Sequence, residues 1–279
     1  VHALGRGDCM PDPVQDVELA GWHDTPITMD ALRATGQRFD IVVHCAGGSS
    51  VPRSFDDPEA DYRNTVTTTR EILEYMRACS RETRLVYPSS AAVYGESTAR
   101  RNKVGDPLQP SSPYGYHKKI VEELCLEYRQ FYGLDVAIIR FFSLYGPGLR
   151  KQLIWDACRK LEAPSGHPEF WGTGNETRDW LYCSDAVELI RTVACAAKPP
   201  LILNGGSGRG TSTKRVVSML ARKFGLSGDK VRFKGDAKTG DPSHYLADIE
   251  EARALGWRPA VSFEDGLDSY LGWFRALGK

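Results

Sequence analysis

The sequence predicts an α/β protein built on an open parallel sheet, with a smaller mixed domain towards its C-terminal end. Short β-branched runs alternate with helical patterns through the first half, as parallel strands joined by crossover helices require. The first two runs also stop at small residues, Gly47-Gly48 and Ser89-Ser90, at the strand ends where open α/β sheets bind ligands.

Ile41-Val42-Val43-His44-Cys45-Ala46 reads as a buried strand closed by Gly47-Gly48. A polar segment follows, and Pro58 precedes a helical pattern to about Cys79, with Ile72, Leu73 and Met76 at helical spacings. Arg84-Leu85-Val86-Tyr87 is the second strand and ends in Pro88-Ser89-Ser90. Pro113 opens a helix, where its missing N–H costs nothing; Ile120, Val121, Leu124 and Tyr128 share one side and Gly133 ends it. The third strand covers 136–141.

Beyond 145 the pattern loosens. A helix is expected near 151–161 and an extended piece at 169–172. Ser184 is placed to cap a helix with Asp185 in its first turn. A strand at 201–204 and helices near 212–224, 249–255 and 263–276 complete the chain. This divides it into a sheet-building part, 1–145, and a smaller mixed part, 146–279, with segments returning to the sheet.

Composition narrows the function classes. Thirty-six basic residues balance 36 acidic ones, which argues against a nucleic-acid binder with one basic face. The run Arg100-Arg101-Asn102-Lys103 is short; it reads as a solvated loop, with a local diphosphate pocket as the alternative. Seven cysteines, odd in number and without a CxxC pair, fit reduced thiols in a cytoplasmic protein. The six histidines form no HExxH or HxH pattern, so no metal site is expected. No apolar run reaches the roughly 18 residues of a membrane span. No secretory signal is visible; because the chain starts at Val1, a lost targeting peptide stays open.

The strongest local signal is Tyr114-Gly115-Tyr116-His117-Lys118. Tyr114 and Lys118 lie four apart on a predicted helix and share a face. A nearby ammonium favours the phenolate. Such a tyrosine could take a proton from a sugar hydroxyl while a nicotinamide takes the hydride. Alone, the spacing is a common surface pair; its position after Pro113 and a serine-rich strand end raises it. Ser90 could hydrogen-bond the reacting oxygen or merely cap a turn. Gly47 and Gly48 admit a cofactor near the backbone or simply form a turn. Asn64 could brace the site or face water. Arg178 suits a phosphate, and Asp179 either orients a neighbour or joins a salt bridge.

The stretches DIVVHCAGGSSV, YRNTV, YPSSAAVYGE, SPYGYHKK, VAIIRFFSLYGPG, GTGNETRDWLYCSDA, LILNGGSG and GDPSHYLADIEEARALGWRPAVSFEDGL occur in the order found in the NAD-dependent epimerase/dehydratase family, the extended short-chain dehydrogenases. The chain resembles that family over nearly its whole length. The resemblance implies a Rossmann-type sheet, NAD or NADP as cofactor and a sugar nucleotide as substrate, without nucleic acid or membrane. It implies Tyr114 as acid/base, Lys118 on the nicotinamide ribose lowering the tyrosine pKa, and Ser90 on the reacting hydroxyl. Cys45, Ala46, Gly47 and Asn64 correspond to cofactor positions, Phe142 and Ser143 to the substrate-facing segment, and Arg178 to the residue gripping the diphosphate. Members are often homodimers through a helix bundle that would include the Tyr114 helix.

Three departures stand out. The glycine-rich GxxGxxG unit is not found, and Val1 to Arg6 resemble the family's second strand; the first βα unit is expected to be missing from this chain, as an unresolved or omitted segment. Ala91-Ala92 stands where 4,6-dehydratases carry Asp-Glu, which argues against water elimination. Ser143 replaces the usual asparagine. Arg6 could meet the 2′-phosphate of NADP, stack on adenine or face water.

The leading expectation is a nucleotide-sugar epimerase acting at C4 through a transient 4-keto sugar. The alternative is an NADPH-dependent 4-ketoreductase of a deoxysugar nucleotide, and a third reading is a non-enzymatic member that kept the fold.

Overall fold

A computed structural model describes residues 1–5, 19–96, 100–162, 168–226, 231–235 and 242–277. Strands β1 (His2–Gly5) and β2 (Gly21–Asp24) pair in parallel as a separate two-stranded unit. Helix α1 (Met29–Ala34) leads to β3 (Ile41–Val43), which is shorter than the sequence suggests. Its ladder is continued only by the His44 N–H donating to the Val86 carbonyl at 3.1 Å.

A short helix not anticipated from sequence follows, α2 (Val51–Asp56), capped by the Ser50 hydroxyl on the Arg53 N–H with a proline in its first turn. Next come α3 (Pro58–Tyr62), a π-helical turn over Arg63–Thr67 and α4 (Thr68–Cys79). Strand β4 (Arg84–Ser90) runs into a 3₁₀ turn, Ala91–Val93. The long helix α5 (Pro113–Tyr132) forms where sequence placed it: Ser112 Oγ accepts the Gly115 N–H at 3.1 Å, proline occupies the first turn, and Gly133 stops the helix at φ 70°.

Strands β5 (Asp135–Phe141) and β6 (Ser143–Tyr145), helix α6 (Gln152–Glu162), strands β7 (Glu169–Phe170) and β8 (Thr177–Tyr182) and helix α7 (Cys183–Cys195) come next. Helix α7 starts one residue before the expected cap. Its N-cap is Tyr182, without a side-chain bond, while the Asp185 carboxylate accepts the N–H groups of Ala260 and Val261 at 3.1 and 3.0 Å. The chain closes with β9 (Ile202–Gly205), β10 (Gly210–Ser212), α8 (Thr213–Lys223), β11 (Arg232–Phe233), α9 (Glu250–Ala254) and α10 (Phe263–Ala276).

The main sheet is parallel, in the order β3-β4-β5-β9. Both its faces are covered, as parallel sheets require. Leu85, Tyr87, Val136 and Ile138 face a core shared with Leu73, Met76, Val121 and Cys125 of α4 and α5. Val86, Ala137, Ile139 and Leu203 face the opposite core, with Leu189 and Val193 of α7. A third core joins Tyr145, Ile154, Trp180, Val217, Leu220, Tyr270 and Phe274 in the mixed C-terminal part, beside the small sheet β10-β8-β6. Each fully buried aliphatic side chain contributes about 1.5–3 kcal/mol. In-register pairing of Ser90 with Phe141 and of Phe141 with Gly205 brings the carboxyl ends of β4, β5 and β9 level.

Candidate active site

The ends of β3 and β4 and the first two turns of α5 meet at one place. The Tyr114 N–H donates to Ser54 Oγ at 3.0 Å, tying α2 to the start of α5. Ser90 Oγ accepts the Ala92 N–H at 3.2 Å, and Ser90 lies close enough to the Tyr114 phenol to lower its pKa. Lys118 is buried. Its ammonium donates to the Pro88 carbonyl at 3.1 Å and lies 4.7 Å from the centre of the Tyr87 ring and 5.9 Å from that of Tyr114.

Burial sets the electrostatics. It pulls the Lys118 ammonium down to about 8, against the opposing pull of Asp61, Cys45 and Glu122. His44 is pushed down to about 3 by burial and then by Lys118; a neutral imidazole sits there, with Nε2 3.1 Å from Thr69 Oγ1. Burial also raises the Tyr114 phenol, the Ser90 hydrogen bond lowers it and Asp61 raises it again. The net direction is upward, opposite to the lowering expected from the Tyr114–Lys118 spacing. Helical spacing gives proximity but not orientation, and the ammonium spends a proton on Pro88.

The glycine turn after β3 is braced by a residue that sequence reasoning missed. Thr65 Oγ1 accepts the Gly48 N–H at 2.8 Å, and Gly47 adopts φ 142°. Asn64 contributes its carbonyl to the Thr68 hydroxyl at 2.6 Å. The π-helical turn shifts the helix register here, a feature without a sequence signature. Cys45 is exposed and Ala46 half-buried at the end of β3.

Phe142 is buried in the core, its ring 6.3 Å from that of Tyr94 and edge-on to Tyr245 at 6.0 Å. Ser143 begins β6 opposite Trp180. The buried Arg178 donates to the Thr177 carbonyl at 3.0 Å and lies 5.7 Å over the Tyr245 ring. Asp179 is a loop clamp: its carboxylate accepts the Ser207 N–H and hydroxyl at 2.6 Å, the Gly208 N–H at 2.9 Å and the Ala247 N–H at 3.1 Å. Arg6 lies outside the described residues.

Behind the site runs a buried polar network. Ser89 Oγ donates to Glu122 at 2.6 Å, and Arg140 grips both Glu122 oxygens at 2.7–3.1 Å. Arg140 also reaches the Tyr94 hydroxyl at 3.0 Å, which donates to Asn204 at 2.7 Å.

The donor set fits a nicotinamide ribose. Among the described residues, Lys118 donates to one acceptor although an ammonium has three N–H bonds, and the buried Tyr87 hydroxyl beside it has no partner. Among the described residues, no group of three His, Cys, Asp or Glu side chains is placed to share a metal ion, and no helix is long and apolar enough to cross a membrane.

The chain is similar to known proteins over most of its length. Residues 11–206 match the model of the NAD dependent epimerase/dehydratase family. The uncharacterized UDP-glucose epimerase YtcB of Bacillus subtilis is 32% identical over 246 residues, covering 85% of this chain and 75% of YtcB. A dTDP-glucose 4,6-dehydratase of Streptomyces griseus is 30% identical over 251 residues, covering 88% and 76% of the two chains. The crystal structure of DesIV, a dTDP-glucose 4,6-dehydratase from Streptomyces venezuelae with NAD bound, superposes with a TM-score of 0.85 at 29% identity, covering 95% of this chain and 82% of DesIV.

Proposed function

Because the chain belongs to the NAD dependent epimerase/dehydratase family, we propose that it is an NAD(P)-dependent nucleotide-sugar 4-epimerase working through a transient 4-keto sugar. The observation that carries this reading is the buried Lys118 ammonium 5.9 Å from the centre of the Tyr114 ring, one helical turn along α5 and beside the carboxyl end of β4, where Ser90 lies.

When bound, the nicotinamide accepts a hydride from C4 and returns it. Tyr114 takes the C4 hydroxyl proton on the outward step and gives it back on the return. Its raised phenol pKa at rest suits the proton-donating half. Ser90, which lowers the phenol pKa, favours its charged form during the other half. Lys118 has N–H bonds to spare for the ribose hydroxyls. Arg178 is assigned to the diphosphate, Ser143 and Phe142 to the sugar-facing wall, and Cys45, Ala46, Gly47 and Asn64 to the cofactor side.

The side chains beside Ser90 favour epimerisation over dehydration. Eliminating water across C5–C6 needs a proton donor and acceptor there, whereas Ala91 and Ala92 carry methyl groups. The relatives include enzymes of both names, and this local chemistry is what supports the epimerase reading.

The working form is assigned as a cytoplasmic homodimer. Tyr116, Ile120, Phe131 and Tyr132 of α5 and Tyr62 of α3 are exposed, an apolar surface suited to a helix-bundle seam. The six cysteines among the described residues are free thiols, which suits a reducing compartment.

The test is turnover of UDP- and dTDP-linked hexoses, with the sugar product read by NMR and the nicotinamide band followed in parallel. Interconversion of C4 epimers without net change in the nicotinamide is expected. Stoichiometric consumption of NADPH would identify a ketoreductase, a 6-deoxy-4-keto product a dehydratase, and absence of turnover a non-catalytic member; each overturns the epimerase reading.

A further inference from the structure

A second charged pair adjoins the site without touching the phenol directly. Asp61, on α3, is buried, and its Oδ2 accepts the His117 Nδ1–H at 2.6 Å. A carboxylate can only accept, so the imidazole is the donor. The His117 ring stands edge-on to Tyr62 at 5.4 Å. On the other side, a methyl group added at Gly48 would lie 1.7 Å from Asp61 Oδ1. The carboxylate therefore rests directly against the backbone of the glycine turn. His117 sits on α5 between Tyr114 and Lys118. One carboxylate thus touches both the turn that follows β3 and the helix that carries the reactive pair.

We propose that Asp61, held by His117, is a positioning residue for Tyr114 and Lys118: it locks α5 to the Gly47-Gly48 turn and keeps a negative charge beside the phenol. This rests on the assignment of Tyr114 as acid/base.

The surroundings single out Asp61. The groups acting on Tyr114 and Lys118 are Ser90 and Tyr87 from β4, His44 and Cys45 after β3, Asp61 from α3, and Glu122 from α5. Two of them are carboxylates. Glu122 is gripped by the Arg140 guanidinium, which offsets its charge locally. Among the described residues, the ion-pair partner of Asp61 is the His117 imidazole. In agreement, Asp61 raises the Tyr114 phenol after the larger effects of burial and Ser90, and it is the strongest of the groups holding up the Lys118 ammonium against burial. Its charge opposes tyrosinate and favours the ammonium, so the site rests with both groups protonated.

The experiment follows the ionisation of Tyr114 without relying on turnover. The tyrosinate absorbance step is read as the difference between each protein and its own Tyr114→Phe counterpart across a pH series. In Asp61→Asn the step should move to lower pH than in the wild type, because a negative neighbour has gone. The corresponding limb of the kcat/KM profile should move the same way, with KM for the sugar nucleotide changed by no more than about twofold. Gly48→Ala, whose methyl group displaces the carboxylate, should move the step in the same direction. The double variant should move it no further than Asp61→Asn alone. A folded Asp61→Asn protein whose Tyr114 step stays in place, or moves to higher pH, overturns the proposal. If Asp61→Asn does not fold, Gly48→Ala decides the matter by the same criterion. The acid/base assignment fails separately, by full activity of Tyr114→Phe, and that result leaves the titration readable.

Discussion

Replacing Glu122 by alanine should be among the most destabilising single changes in this protein. Glu122 and Arg140 are 1% and 2% exposed. In the variant, Arg140 keeps only its Nη1 contacts, to the Tyr94 hydroxyl at 3.0 Å and the Val104 carbonyl at 2.9 Å. The acceptors of Nε and Nη2 vanish, and Ser89 loses the carboxylate that its hydroxyl meets at 2.6 Å. Water has no easy route to the stranded guanidinium. Breaking a buried pair from one side costs about 3–5 kcal/mol, against a total stability of about 5–15 kcal/mol for a folded domain. In a chain of this size that lowers the melting temperature by roughly 6–20 °C. Urea unfolding of Glu122→Ala, Glu122→Gln and the Glu122→Leu/Arg140→Met double variant measures this. Glu122→Gln keeps one acceptor and should lose less than Glu122→Ala. The double variant removes both charges and should recover most of the loss. A cost below about 1 kcal/mol for Glu122→Ala would show that the buried pair does not need its partner.

Other changes test other parts of the site. Tyr114→Phe should retain fold and sugar-nucleotide binding but lose about 10²–10⁴-fold in kcat; unchanged turnover would end its acid/base role. Lys118 has a folded-state pKa of about 8 against an ordinary 10.5, so folding penalises its charge fully below pH 8 and progressively less as pH climbs towards 10.5. Lys118→Met should therefore be more stable by about 1–3 kcal/mol at neutral pH, with the advantage shrinking in alkaline buffer as followed by urea titration. Asp179→Asn turns an amide towards N–H donors and should cost about 1–3 kcal/mol, with faster hydrogen exchange at Ser207 and Gly208. Ile120→Glu puts a charge on the outer face of α5 and should yield monomers in sedimentation; an unchanged dimer would place the seam elsewhere.

Much of this was readable because the signals are local. Ser112, Pro113 and Gly133 bound α5 by capping chemistry confined to each end, and the β-branched runs of β4 and β5 need only their own residues. The site residues Ser90, Tyr114 and Lys118 converge because strand end and helix start are neighbours in any crossover unit. What escaped depends on distant partners or on backbone irregularity. Asp179 reads as one half of an Arg-Asp pair, yet its partners lie 28 to 68 residues away. Asp185 likewise serves Ala260 and Val261 rather than its own helix cap. The bond from the Gly48 N–H to Thr65 was not foreseen, because a π-helical turn there moves the register. Helix α2 was legible in retrospect, since Ser50 followed by Pro52 is a helix-start pattern. The direction of the Tyr114 shift was not, because burial is invisible to spacing.

Helix α5 has little room to drift. Its buried positions, Gly115, Lys118, Val121, Glu122, Cys125 and Tyr128, answer to the strands beneath, while Tyr116 and Ile120 face outward and His117 leans on a neighbouring helix. A slip of one residue would remove the proton carrier, the ion-pair anchor and the apolar outer stripe together. New sugar preferences are therefore easier to acquire in segments just past the strand ends, such as Phe142 and Ser143 where β5 gives way to β6. Libraries aimed at altered specificity should diversify those rims and leave the rod between them alone.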